Sequence, residues 1–207
     1  MTDIPELFYK VISTGSKGNA VIVDRMLFDC GVSFKALKEY LYDIDYLFVT
    51  HRHSDHLKPQ TLLQIRKVFP HIRVIGNYDV AYTVPVDVIT NNTVEYTLKK
   101  YQVLPFKNYH DVPCQGYSVS FKGINIIYTT DTASLQDAPI MKYDYLFLES
   151  NHDENKLKGL SANKYGYNVI EGAMRHLSTQ KCKAFYYINR RSKESKLIEL
   201  HQSERFY

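Results

Sequence analysis

The chain has 207 residues, enough for one domain or a tight pair of half-domains. With 44% hydrophobic and 23% charged residues it has the composition of an ordinary soluble globular chain, which excludes disorder and collagen-like repeats. A net charge of +4, from 26 basic and 22 acidic side chains, permits an anionic substrate without demanding one.

The first half reads as short strands joined by turns. LFYKVIS is a strand, STGSKGN a turn, and AVIVD and MLFDC a hairpin across Asp24-Arg25. A helix is predicted over residues 33–42, where Phe34, Leu37 and Leu41 share one face after a capping Ser33. DYLFVT is a buried strand. Pro59 opens a second helix carrying Leu62, Leu63, Ile65 and Phe69. RVIGN, VEYTLKK, YQVLPFKNYH, GYSVSFK and NIIYTTD are strands, the last two joined around Gly123. DYLFLES resumes as a buried strand, residues 162–176 have helical spacing, Ser178 caps a helix to about residue 190, and KLIEL is the last strand. Two blocks of strands followed by helices predict two sheets with helices packed outside.

No apolar run reaches the ~20 residues that a membrane-spanning helix needs. The opening MTDIPELFYK lacks the basic and apolar regions of a secretory signal. Cys30, Cys114 and Cys182, without a CxxC pair, argue against a disulfide framework or a cysteine-based zinc site. A cytoplasmic protein with reduced thiols and no membrane partner is expected; oligomeric state is not encoded in these features.

Chemistry concentrates in Thr50-His51-Arg52-His53-Ser54-Asp55-His56, just beyond the apolar strand DYLFV. Imidazole nitrogens and carboxylate oxygens are the natural ligands of borderline and harder divalent metals. Four potential ligands within six residues are hard to explain as packing, because such groups destabilise a core unless they are partnered. The competing view is a solvated polar loop. One loop cannot close two coordination shells, and other strand ends supply candidates: His110 after YQVLPFKNY, Asp131 closing NIIYTTD, and His201 closing KLIEL. Taken singly, each also reads as a capping carboxylate or a surface histidine.

HRHSDH resembles the HxHxDH signature of the metallo-β-lactamase fold superfamily, and the later residues follow in the same order. The resemblance implies an α/β fold, a four-layer αββα sandwich forming a single domain over residues 1–207. It implies His51, His53 and His110 on a first metal, Asp55, His56 and His201 on a second, and Asp131 as the bridge. The cofactors expected are two divalent ions, zinc first, with manganese or iron as alternatives. Further segments are similar to the YycJ/WalJ-like nuclease branch: STGSKGNA (Ser13–Ala20), ESNHD (Glu149–Asp153), RHLST (Arg175–Thr179) and ELHQS (Glu199–Ser203). Arg175 and Thr179 stand where that branch has glycine and asparagine. The chain has no room for the inserted domain of the β-CASP nucleases and no obvious arm like that of tRNA 3′-end endonucleases.

The implied activity is cleavage of nucleic acid, DNA or RNA, as an exonuclease, by a hydroxide generated between the two ions and attacking phosphorus in line. Asp55 would direct that attack. By resemblance to the tRNA 3′-end enzymes, His176 would protonate the leaving oxygen, with Glu149 orienting the imidazole. Asn151, His152 and Ser178 are candidate substrate contacts, with bracing of their own loop as the alternative for the first two. Two further functions stay open at this point: hydrolysis of small esters or thioesters, and non-catalytic binding of nucleic acid or nucleotide. The turn Ser13–Asn19 reads as a tight hairpin near the metals. The basic run Asn189–Lys193 reads as either a nucleic-acid contact or a solvated helix end.

Overall fold

The computed structural model describes residues 4–158 and 169–203. They form two compact units, residues 6–91 and residues 92–207 together with the first five.

Residues 6–91 carry a six-stranded mixed sheet in the order β1-β2-β3-β4-β5-β6: β1 Tyr9–Ser13, β2 Ala20–Val23, β3 Met26–Phe28, β4 Tyr46–Val49, β5 Arg73–Gly76 and β6 Val88–Ile89. β1, β2 and β3 pair antiparallel, while β3 to β6 run parallel. Parallel neighbours need crossovers, which are supplied by α1 Phe34–Leu37 with a 3₁₀ turn over Lys38–Asp43, by α2 Pro59–Val68 and by α3 Tyr78–Thr83. Ser33 caps α1 as expected, its side chain accepting from the Ala36 N–H. The expected helix over 33–42 is thus an α turn tightened into 3₁₀. Leu27, Leu47 and Val74 pack with Leu37, Leu41, Leu62, Ile65 and Phe69 in one apolar cluster. Truncating such a residue, as in Leu47→Ala, costs about 2–5 kcal/mol.

Residues 92–207 repeat the arrangement, antiparallel strands followed by parallel ones. Their sheet runs β12-β11-β10-β9-β8-β7, with β7 Tyr96–Leu98, β8 Tyr101–Asn108, β9 Cys114–Phe121, β10 Ile124–Thr129, β11 Tyr145–Glu149 and β12 Lys196–Leu200. The β7-β8-β9-β10 meander is antiparallel, and β10, β11 and β12 are parallel. Between β11 and β12 lie α4 Glu154–Leu157, α5 Val169–Ala173 and α6 Thr179–Asn189. Of the expected helix over 162–176, the stretch 162–168 lies outside the described residues. Ile127, Leu146 and Leu148 pack with Leu177, Cys182 and Tyr143.

The basic run after α6 serves the fold. Arg191 Nη2 pairs at 3.1 Å with Asp144, which is buried, and Nη1 donates to the Gly123 carbonyl at 3.0 Å. Arg190 lies over the rings of Tyr186 and Tyr187. Among the described residues no helix is long and apolar enough to cross a membrane.

Candidate metal centre

In parallel sheets the carboxyl ends of strands gather functional groups, and both units obey this rule. In residues 6–91, β3 runs into Asp29 and β4 into Thr50–His56. Asp29 and Thr50 are buried, and a short network settles which imidazole nitrogens carry protons. Thr50 N–H and Oγ1 both donate to Asp29 Oδ1, at 2.8 and 3.0 Å. With its one proton so engaged, Thr50 Oγ1 can only accept from His51 Nδ1 at 3.0 Å, which leaves the lone pair of His51 on Nε2. His56 Nδ1 lies 2.7 Å from Asp29 Oδ2, and donation to that carboxylate puts its lone pair on Nε2 as well. Burial pushes the Asp29 carboxyl up, while His56 and Thr50 oppose the rise.

His51 Nε2 and His53 Nδ1 stand 3.1 Å apart. That separation is close to the roughly 3.3 Å edge of a tetrahedron drawn with ~2.0 Å metal–nitrogen bonds. The Asn19 amide nitrogen approaches His56 Nε2 at 2.8 Å and the carbonyls of Gly15 and Asp55 at 3.2 Å each. Its two hydrogens serve two of three acceptors, so the two carbonyls can hold the amide while a metal takes the imidazole nitrogen. Asn19 N–H also donates to the Asp55 carbonyl at 2.6 Å. The Ser13–Asn19 turn therefore braces the histidine loop, with Ser13 Oγ donating to the Gly18 carbonyl at 2.6 Å. Gly31 is obligatory beside it: a Cβ there would lie 1.7 Å from the Asp55 carbonyl oxygen.

In residues 92–207 the ends of β10, β11 and β12 bring Asp131, Glu149 and His201 together with His176, ligand atoms of all four lying within 4.8 Å of one another. His176 Nδ1 is 2.6 Å from Glu149 Oε1 and 3.2 Å from Asp131 Oδ1. His201 Nδ1 is 3.3 Å from Glu149 Oε1, and its Nε2 is 3.4 Å from Asp131 Oδ1. Glu149 Oε2 accepts from the N–H groups of Thr132 and Leu177, at 2.8 and 3.2 Å. Burial pushes the Glu149 carboxyl up, but its bonds to His176 and His201 hold it below its ordinary value. Burial pushes the His176 imidazole down, yet its bonds to Asp131 and Glu149 and their charges raise it to about 9. His110, in the loop after β8, has its ring centroid 5.8 Å from that of His176. A buried set of imidazoles and carboxylates of this kind fits a divalent cation, whose charge would offset the burial of the acids.

Asp29, Asp131 and His201 share a backbone feature. Each adopts a left-handed conformation, with φ of 63°, 53° and 54°. Such a turn costs most residues with a side chain roughly 1–2 kcal/mol; Asp24, Thr93, Lys99 and Lys122 adopt it too, so it belongs to the turns of this fold as well as to the strand ends that carry these three side chains.

Of the candidate substrate contacts, Asn151 donates from its amide to the His201 carbonyl at 2.9 Å, bracing that histidine. Ser178 caps α6, accepting from the Lys181 N–H, and donates to Glu154 at 2.6 Å. His152 is buried, and burial lowers its imidazole below the ordinary value. Sequence reasoning gives Asp29 no role and places Thr50 and Asn19 in the histidine stretch and the Ser13–Asn19 turn without assigning them partners. The signal for Asp29 was the one that found Asp131, an acid just past an apolar strand.

Residues 24–188 match the family described as the beta-lactamase superfamily domain. The chain belongs to the beta-lactamase superfamily. Hydrolases of this superfamily are generally metal-dependent. None of the curated proteins compared with this superfamily member matches it in sequence. Among solved structures it is similar to the metallo-beta-lactamase fold protein YhfI from Bacillus subtilis, with 17% identity, a TM-score of 0.70, and 95% of this chain and 86% of that one covered. It is similar to human tRNase Z, short form, with 20% identity, a TM-score of 0.67 and coverage of 95% and 93%. A diphosphatase of the PhnP family gives 17% identity, a TM-score of 0.67 and coverage of 96% and 87%. These likenesses are of fold: two mixed sheets with helices, the α/β composition of the metallo-β-lactamase type.

Proposed function

We propose that the chain is a cytoplasmic phosphodiesterase of the YycJ/WalJ-like nuclease branch that cleaves nucleic acid as an exonuclease, its two units acting as one domain. His51, His53 and His110 would hold one divalent ion and Asp55, His56 and His201 a second, with Asp131 serving both; zinc is the first choice, manganese or iron the alternatives. Such a pair supplies Lewis acidity and a water of lowered pKa when bound. The remaining steps belong to side chains. Asp55 accepts a hydrogen bond from the attacking water and fixes its direction. His176 gives a proton to the departing oxygen, and Glu149, bonded to Nδ1, turns the opposite ring nitrogen towards that oxygen. Asn151 keeps His201 in place.

The observation that carries this reading is the Glu149–His176 pair. A buried carboxylate bonded to a histidine beside Asp131 suits a positioned proton donor, which supports the reading. A phosphodiester, whose alkoxide leaving group needs a proton, uses it more fully than a thioester does. The test is a panel of 5′- and 3′-labelled DNA and RNA oligonucleotides with zinc, manganese or iron(II). The expected result is stepwise shortening from one end, abolished by Asp55→Ala. His176→Ala is expected to keep its metal and turn over slowly; metal depletion in that variant would instead make His176 a ligand. Intact oligonucleotides under every metal, with turnover of a thioester, would overturn the reading.

A further inference from the structure

Beside His176 in residues 92–207 lies a pocket of about 450 Å³ lined by His152, Leu157, Ile170, Met174, Lys181 and Glu154, with Lys158 at its edge. Its size is that of a small-molecule site. Leu157 on α4 and Ile170 and Met174 on or beside α5 give it apolar walls, and Met174 is 61% exposed, more than a side chain kept only for packing would be. His152 is 2% exposed, and among the described residues its Nδ1 has no hydrogen-bond partner. Lys181 and Lys158 bring cations. Glu154, held by Ser178, brings one carboxylate that would repel a string of phosphates but accept from an N–H donor. Apolar walls, two imidazoles, two cations and a single carboxylate match a nucleobase attached to one phosphate.

We propose that this pocket is a nucleobase subsite: the base lies against Met174, Ile170 and Leu157, its N–H edge reaches Glu154, and its phosphate meets Lys181. Its place beside the scissile phosphate rests on the nuclease reading, because His176 is common to the pocket and the acid cluster. A fatty acyl carboxylate would use the apolar walls and a lysine but leave Glu154 without a purpose.

The test is direct binding by calorimetry to the full chain, with AMP, adenosine, ribose 5-phosphate and octanoate as probes. AMP is expected to bind about tenfold or more tighter than ribose 5-phosphate, the worth of burying one face of a base against apolar side chains. Met174→Asp is expected to remove that preference, and Lys181→Glu to weaken AMP but not adenosine. Tyr82→Asp, an exposed change in the other unit, is expected to leave AMP binding unaltered. Circular dichroism and melting check that each variant folds; should Met174→Asp not fold, the wild-type comparison and Lys181→Glu decide. Equal binding of AMP and ribose 5-phosphate, or displacement of AMP by octanoate, overturns the subsite. Hydrolysis of bis(p-nitrophenyl) phosphate by the metal-loaded wild type separates the two claims. Hydrolysis without base preference removes the subsite alone, and base preference without hydrolysis keeps the subsite and removes the phosphodiesterase.

Discussion

His176 Nδ1 stands 2.6 Å from Glu149 Oε1, an oxygen of a side chain that water does not reach. Every other bond of that carboxylate holds something nearby: the backbone at Thr132 and Leu177, and the ring of His201. Glu149→Gln keeps the shape and an acceptor for the two N–H groups but removes the charge that steadies the imidazole. Turnover is expected to fall about a hundredfold, the low end of what a positioned acid contributes, with metal content unchanged. Single-turnover cleavage and elemental analysis on the same sample check this. A variant that loses metal instead would make Glu149 a ligand.

Asp29 acts on His56 as Glu149 acts on His176, through a carboxylate on the far nitrogen. Partners of this kind fix the tautomer of a metal-binding histidine, and removing one costs ~10–100-fold in metal affinity. Asp29→Asn is therefore expected to weaken the ion proposed at His56 by that factor while the ion proposed at His51 is retained. Competition with a chelator, followed by counting the metal remaining per chain, gives the answer. Equal loss of both ions, or of neither, speaks against a role on His56 alone.

Gly31 tests the packing under the histidine loop. A methyl group there meets the backbone of Asp55 and His56, which has nowhere to yield without moving the loop. Gly31→Ala is expected to cost about 3 kcal/mol, the upper range for overpacking, and to deplete the bound metal. Gly123→Ala is the control. Its positive φ of 78° is strained by a side chain, but nothing lies within 4 Å, so about 1 kcal/mol is lost and the metal stays. Urea titration and metal content distinguish the two variants.

The strands that read clearly from sequence are those with continuous apolar runs, such as β4 and β11, each buried at every position. Two elements between Asn77 and Ile89 did not. α3 holds valine, threonine and two tyrosines, poor helix formers, and exists because Asn77 caps it by accepting from the Val80 N–H. β6 has two residues, too few for an alternation to register. In the site, the histidines and acids that come together were recognisable by type and by their places just past apolar strands. The left-handed turns at Asp29, Asp131 and His201 were not, since aspartate and histidine adopt φ near +60° more readily than most side chains but far less often than glycine. Nor was the bond from Asn151 to His201, 50 residues away, whereas Ser178 as the cap of α6 is read directly from the sequence and is observed.

The thiols give a prediction independent of any ion. Burial pushes Cys30 and Cys182 up to about 12 each, from an ordinary value near 9. In the folded chain neither forms thiolate at pH 8, so both are expected to resist a disulfide reagent that modifies them at once in urea. Between pH 9 and 12 the unfolded chain releases these protons and the folded chain keeps them. Their contribution to stability is thus complete below about pH 9 and drains away as pH rises towards 12. Cys30→Ala and Cys182→Ala should each lose less stability across that window than the parent, measured by urea midpoints at pH 8, 10 and 11. A native chain whose Cys30 reacts at pH 8 would show that the strand end beneath His56 opens readily, and the metal loop could not then be as firmly seated as its hydrogen bonds require.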